Sequence, residues 1–206
     1  PFGTLPQHSL EYWPESARIV QVDIDHRALG LVREVEVGVC GDAGAAAQEI
    51  LDRLRNLEVS AHASRDSRLA ELENQRESWE TELTEWSSST ASPVAPRRAL
   101  RELELAMPVD AMVSTDIGNI CSVSNSYLRF SRPNSFLAAM SFGNCGYAFP
   151  TAMGAKVAAP DRPAIAYVGD GAWGMSLAEI MTCVRENIPV VAVVFNNGQW
   201  GAEKKN

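Results

Sequence analysis

Apolar and polar positions alternate from Arg18 to Ile24 (RIVQVDI), the period of two expected of a strand. Val35 to Val39 repeats the pattern over a shorter run. Asp42 then stands where a helix N-cap belongs, and Ala47, Ile50, Leu51 and Leu54 follow at i, i+3, i+4 and i+7, one apolar stripe on a helix. Strand, loop, strand and helix in that order read as the tail of an α/β domain. Ser64 to Trp86 is different: charged throughout, with sparse apolar positions at Leu69, Leu72, Trp79, Leu83 and Trp86, a surface helix. The polar, proline-ended run from Ser87 to Pro93 (SSSTASP) reads as a linker.

After the linker the alternation becomes regular. Pro96 opens a helix with Leu100, Leu103 and Met107 on one face. Ala111 to Thr115 is a strand, Asp116-Ile117-Gly118-Asn119 a loop, and a Ser/Asn-rich helix follows. A short strand near Phe136 to Ala138 leads into the turn Phe142-Gly143-Asn144-Cys145-Gly146 and a helix from about Tyr147 to Ala159. Ala164 to Val168 is a buried strand, Gly169-Asp170-Gly171 a turn, and Leu177, Ile180, Met181 and Val184 mark the face of the next helix. Pro189 to Phe195 is a further buried strand, ended by Asn196-Asn197. Unbroken apolar strands separated by helices predict an α/β fold with a parallel sheet covered on both faces.

Composition narrows the function more than the fold. The chain has 206 residues, 46% hydrophobic and 21% charged, enough apolar material for a buried core. No apolar run reaches the roughly 18 residues of a membrane span. A net charge of -8 argues against a nucleic-acid footprint. The four cysteines, Cys40, Cys121, Cys145 and Cys183, form no C-x-x-C pair and there are only three histidines, which argues against zinc. A disulfide framework is not expected in a chain with this much core; small buried side chains in a reducing, cytoplasmic compartment are the expectation for three of the four. The chain begins at Pro1 without Met or signal segment and stops at Asn206 in a hydrophilic stretch that reads as a first helical turn, so an internal piece of a longer protein is expected.

One motif carries the chemistry. Gly169 to Gly174 (GDGAWG) fits G-x-G-x-x-G between a strand and a helix, the dinucleotide-binding pattern of a nicotinamide-dependent dehydrogenase. That reading requires an acidic residue at the end of the next strand to hold a ribose. Phe195-Asn196-Asn197 stands there instead. Asp170 would also repel a bare pyrophosphate, unless a divalent cation lay between them. Asp170 and Asn197, at the carboxyl ends of consecutive strands, offer magnesium one carboxylate and one amide oxygen, with diphosphate oxygens completing the set. The acidic segment leaves a third possibility, a non-catalytic interaction domain.

Gly-Asp-Gly, 24 residues, then Asn-Asn resembles the motif of thiamine diphosphate enzymes. The resemblance extends through Ser114 to Asn119, Ser141 to Thr151 and Gln199 to Asn206, which look like the sulfoacetaldehyde acetyltransferase family of the acetolactate synthase-like superfamily. It covers nearly the whole chain and is weakest across residues 60–95. It implies the end of a central α/β domain over 1–58, an acidic helix and linker over 59–95, and a diphosphate-binding parallel-sheet domain over 96–206.

Carried over residue by residue, the resemblance implies Asp170 and Asn197 as metal ligands by side chain and Gln199 by its carbonyl. Gly169, Asp170, Gly171, Ala172 and Asn197 would meet the diphosphate of thiamine diphosphate, Gly171 and Ala172 through backbone N–H groups. The turn containing Gly143, Asn144 and Cys145 would line the cofactor. Where many relatives carry a bulky aliphatic residue that props the cofactor into a bent shape, this sequence has the smaller Cys145; a reactive thiol and a packing role are both open for it. The implied reaction converts sulfoacetaldehyde and phosphate into acetyl phosphate and sulfite in taurine degradation. Glu203 would transfer a proton, and Lys204, Lys205 or Arg129 would hold the anions. Trp200 would wall off the substrate or pack at a subunit boundary. The glutamate that activates the cofactor belongs to an N-terminal domain outside this stretch, usually of a partner subunit. A homo-oligomer with its site at a subunit interface, and a fragment inactive alone, are therefore expected. Acetolactate synthase or 2-oxoacid decarboxylase chemistry is the neighbouring alternative.

Overall fold

The computed structural model describes residues 16–31, 33–57, 64–140 and 142–201. The chain divides into two compact units, Pro1–Ala70 and Glu71–Asn206.

In the first unit, β1 (Val20–Asp23) pairs in parallel with β2 (Val37–Cys40), Val20 opposite Val37 and Asp23 opposite Cys40. Helix α1 (Ala43–Arg55) follows, and the Asp42 carboxylate caps it by accepting the Ala45 N–H at 2.9 Å. Its stripe of Ile50, Leu51 and Leu54 remains exposed, and no described residue of 16–57 is buried.

Helix α2 (Arg65–Ser87) is the charged segment. From Glu71 onward it belongs to the second unit, although the sequence sets 59–95 apart as a connector. The physical reason lies at its carboxyl end. Leu83 is buried in the core, its carbonyl accepts the Tyr127 hydroxyl at 3.2 Å, and Glu80 pairs with Arg129 at 2.6 Å. Trp86 packs edge-on to Trp79 and beneath the Arg97 guanidinium. Helix α3 (Pro96–Ala106), with Pro96 in its first turn, then lays Leu100 into the same core.

The second unit is built on a four-stranded parallel sheet in the order β4-β3-β5-β6. Its strands are β3 (Met112–Thr115), β4 (Phe136–Ala138), β5 (Ala164–Gly169) and β6 (Val191–Phe195). Helix α4 (Asn119–Tyr127) links β3 to β4, and α5 (Ala148–Ala158) links β4 to β5. Every residue of β3 is buried. The period of two along β5 serves two cores at once: Ile165 and Tyr167 join Leu100, Val113 and Tyr127 on one face, while Ala166 and Val168 meet Ala148, Phe149 and Ala152 of α5 on the other.

The connection from β5 to β6 departs from the single helix that the stripe suggests. It is α6 (Asp170–Ser176), a 3-10 turn at Leu177–Glu179, and α7 (Ile180–Glu186). Ser176, at φ −122° and ψ −1°, leaves helical geometry, after a segment already weakened by Gly171 and Gly174. The predicted face is not covered: Met181 is 72% and Val184 74% exposed. Helix α7 ends on Asn187 in the left-handed region, whose N–H returns to the Cys183 carbonyl. None of the four cysteines is in a disulfide, and only Cys121 is fully buried. No described helix is long and apolar enough to cross a membrane.

Candidate functional site at the carboxyl ends of the sheet

In the order β4-β3-β5-β6, the chain leaves β3 toward one edge and β5 toward the other. The switch point of the sheet lies between the ends of β3 and β5, where open α/β sheets bind ligands. Four segments converge there: Asp116–Asn119 after β3, the turn 142–147 after β4, Gly169–Ala172 after β5, and Asn196–Gly201 after β6. Thr115 pairs with both Ala138 and Tyr167, and Gly169 pairs with Phe195, so all four segments leave at the same end of the sheet, those after β5 and β6 two residues further along.

Gly169 is extended and serves as N-cap of α6, which puts Asp170 in the first helical turn. The Asp170 side chain is half-buried, and it makes no hydrogen bond or ion pair with a described residue. Beyond β6, the Asn196 side-chain oxygen accepts the Gly198 N–H at 3.0 Å, and that of Asn197 accepts the Gln199 N–H at 3.1 Å. These tight turns bring the chain back over the site. Its Trp200 ring lies where a side chain on Gly171 would go, a Cβ there standing 3.0 Å from the indole. Only glycine permits this approach. A Cβ on Gly201 would stand 3.2 Å from the Asn197 amide and 3.5 Å from that of Asn119. The ends of β3, β5 and β6 thus meet through small residues and amides.

The turn after β4 needs glycine for a second reason. Gly146 adopts φ +80°, and a Cβ on it would sit 3.1 Å from Met175 Cβ. Gly143 and Asn144 are exposed and Cys145 half-buried. The next residue, Tyr147, donates its N–H to the Asp116 carboxylate at 2.7 Å. Asp116 is buried, and its second oxygen has no hydrogen-bond partner. Burial pushes its carboxyl above the usual range, against the N–H groups of Tyr147, Ala148 and Gly146, which hold it down. Beside it, burial also raises the Cys121 thiol. Among the described residues no group of three or more His, Cys, Asp or Glu gathers to hold a metal, so a cation here would rest on Asp170 together with amide and carbonyl oxygens.

Asp170, Gly171, Ala172, Asn197 and Gln199 are therefore on adjoining segments, with the turn at 143–145 on the neighbouring one. Glu203, Lys204 and Lys205, together with the helical turn expected around them, lie outside the described residues. Arg129 is not at this end of the sheet. It follows the carboxyl end of α4, where its guanidinium bonds Glu80 and the Ser126 carbonyl. An arginine already neutralised there is not an anion receptor, which corrects its candidacy. Asp116 and Asn119 carried no assigned role in the sequence. Their signal was context: Asp116-Ile117-Gly118-Asn119 follows a buried strand and opens a helix, as Gly169-Asp170-Gly171 does.

A helix-covered parallel sheet with Gly-Asp-Gly at its switch point and Asn-Asn on the next strand defines a diphosphate-binding domain of the thiamine diphosphate class. Residues 116–206 match the model of the thiamine pyrophosphate enzyme C-terminal TPP-binding domain. The whole chain aligns with sulfoacetaldehyde acetyltransferases. It is 59% identical to that of Castellaniella defragrans and 55% identical to that of Alcaligenes xylosoxydans xylosoxydans, in each case over 100% of this chain and 37% of the relative. A probable acetolactate synthase large subunit of Methanococcus aeolicus is 29% identical over 90% of the chain and 32% of that protein. The fold is that of a thiamine diphosphate-dependent 4-hydroxybenzoylformate decarboxylase from Rhodococcus jostii RHA1, with a TM-score of 0.69 at 21% identity over 93% of this chain and 33% of that one. The chain thus spans a little over a third of the length of these acetyltransferases.

Proposed function

We propose that this chain is part of a thiamine diphosphate- and magnesium-dependent acyltransferase that converts sulfoacetaldehyde and phosphate into acetyl phosphate and sulfite, as its relatives' names suggest. The observation that carries the reading is the Asp170 carboxylate, half-buried at the switch point without a partner among the described residues and one strand away from Asn197. A carboxylate so placed fits a cation.

In this reading Asp170 and Asn197 hold magnesium by their side chains and Gln199 by its carbonyl. Gly171 and Ala172 offer N–H groups to the diphosphate, with Gly169 keeping the turn open. Gly143, Asn144 and Cys145 line the cofactor. When bound, thiamine diphosphate supplies the nucleophilic carbon and the electron sink that aldehyde cleavage needs. Glu203 moves a proton near the reacting carbon, and Lys204, with Lys205, holds the sulfonate and then the phosphate. Trp200 covers the turn at Gly171 and keeps water from it. The reaction is balanced without an oxidant: the carbon–sulfur bond breaks, sulfite leaves, and a phosphate oxygen takes the acetyl group.

Residues 1–58 are then the end of a central domain, and 96–206 the diphosphate-binding domain. The activating glutamate comes from another domain, and the assembly is a homo-oligomer with the site between subunits, in a reducing cytoplasm. Assay of the complete protein tests this. Phosphate-dependent sulfite release from sulfoacetaldehyde is expected; turnover of pyruvate without sulfite release would replace the reading with an acetolactate synthase or decarboxylase.

A further inference from the structure

We infer that Asp116 is a positioning residue, whose buried carboxylate latches the glycine-rich turn 143–147 to the end of β3 and so sets the wall facing the cofactor. This rests on the functional reading above, in which that turn lines thiamine diphosphate.

The Gly143 N–H anchors the start of the turn on the Ala139 carbonyl at 2.9 Å, while its far end, toward α5, is held from outside. Gly143 (φ +72°) and Gly146 (φ +80°) both adopt conformations that other residues avoid, and glycine has the most freedom to lose on ordering. Helix α5 behind it lacks a cap of its own, since its N-cap residue, Tyr147, contributes no side-chain bond. The acceptor comes instead from 31 positions away. Asp116 takes the Tyr147 N–H at 2.7 Å, a short charge-assisted bond, and the Gly146 and Ala148 N–H groups also favour its ionised form. One side chain thereby ties the segment after β4 to the segment after β3.

The carboxylate is costly where it sits. It is fully buried, has no ion pair among the described residues, and leaves one oxygen without a partner. A helix cap alone is served about as well by Ser or Asn, which carry no charge to bury. What the carboxylate adds is reach that Ser lacks and a stronger acceptor than Asn offers, at the switch point where the turn must be held in register with Gly169–Ala172. A turn released from Asp116 would still fold, but it would sample positions that do not meet the cofactor.

The test compares D116A and D116N in the complete enzyme, measuring thiamine diphosphate affinity at saturating magnesium, the KM for cofactor, kcat at saturating cofactor, and the melting temperature. D116A should weaken cofactor binding by about 10-fold or more, the value of one charge-assisted bond. Its kcat at saturating cofactor should fall far less. D116N, which keeps an acceptor at the same distance, should recover most of the affinity. A lowered melting temperature with unchanged cofactor affinity in D116A would reduce Asp116 to a structural cap and overturn the proposal. So would D116N binding no better than D116A. If D116A does not fold, D116S takes its place with the same expectations, since its hydroxyl falls one bond short of Tyr147. D170A in the same titration separates the two layers. If D170A binds cofactor like the wild type, the functional reading itself has failed, and Asp116 falls with it; if D170A loses binding while D116A does not, only the latch has failed.

Discussion

Strands β2 and β3 are alike on paper. Each has four residues, each pairs in parallel, and each precedes a helix. Yet all four residues of β2 are exposed and all four of β3 are buried. The difference is cover. β3 has a strand on either side and helices on both faces, whereas among the described residues β2 has one strand neighbour and an α1 stripe that stays exposed. Local pattern and pairing suffice to make a strand; a core, and a ligand crevice at its end, need layers. The site sits accordingly at the carboxyl end of the covered sheet.

The largest effect should mark that asymmetry. Asp170→Ala in the complete protein should reduce magnesium-dependent thiamine diphosphate binding by about 100-fold or more, as expected for a lost metal-ligating carboxylate. Asp23→Ala, at the end of β1, should leave binding unchanged, because that carboxylate only receives the Asp25 N–H in a local turn. A cofactor titration reads both. Equal losses would mean that the two sheet ends contribute alike, and the contrast would break.

Much of this was legible in the sequence because the relevant signals are local. Asp42 caps α1 three residues away, Pro96 opens α3, and the unbroken apolar run at 164–168 is the buried β5. Gly169–Gly171 and Asn196–Asn197 could be placed on adjacent strand ends for the same reason. What could not be read depends on distant partners. Asp116 looks like a loop residue until Tyr147 reaches it, and Arg129 looks like a free cation until Glu80 neutralises it. The stripe from Leu177 to Val184 runs from the 3-10 turn into α7 without marking the boundary, since periodicity reports spacing and not backbone geometry. Nor does periodicity report whether a face is covered: the stripes of α1 and α7 are regular in the sequence and exposed in the fold.

The cores themselves should differ next. Leu100 is fully buried among Val113, Tyr127, Ile165 and Tyr167. Leu100→Ala should cost about 2–5 kcal/mol, since the buried methyl groups are lost and a cavity remains. Urea unfolding followed by tryptophan fluorescence measures it well, because Trp79, Trp86, Trp173 and Trp200 all belong to the second unit. A cost below about 1 kcal/mol would show that α3 collapses onto the sheet without strain.

A smaller effect separates the covered sheet by pH. The Tyr167 hydroxyl is buried beside Ser124 and Thr115, and burial pushes its pKa up to about 12. The folded state therefore keeps this proton when the unfolded chain gives it up. Tyr167's contribution to stability is fully present below about pH 10 and is lost as the pH rises toward about 12, by an amount on the order of 2 kcal/mol. Tyr167→Phe removes this loss. The difference between the two proteins, measured by urea unfolding at pH 9 and at pH 11, should favour the variant at the higher pH. Parallel pH curves would mean that the hydroxyl is solvated in the folded state.

The smallest effect belongs to the uncovered unit. Ile50 lies on the stripe of α1 and keeps 48% of its surface exposed. Truncation to Ala removes little buried area, and alanine is the better helix former, so two small terms oppose each other. In these 206 residues taken by themselves, Ile50→Ala should change the stability of α1 by less than about 1 kcal/mol, read by amide hydrogen exchange across Ala43–Arg55. A loss as large as that of Leu100→Ala would mean that the stripe is covered when the chain is in solution, and that the two units differ less in their layers than their exposed surfaces indicate.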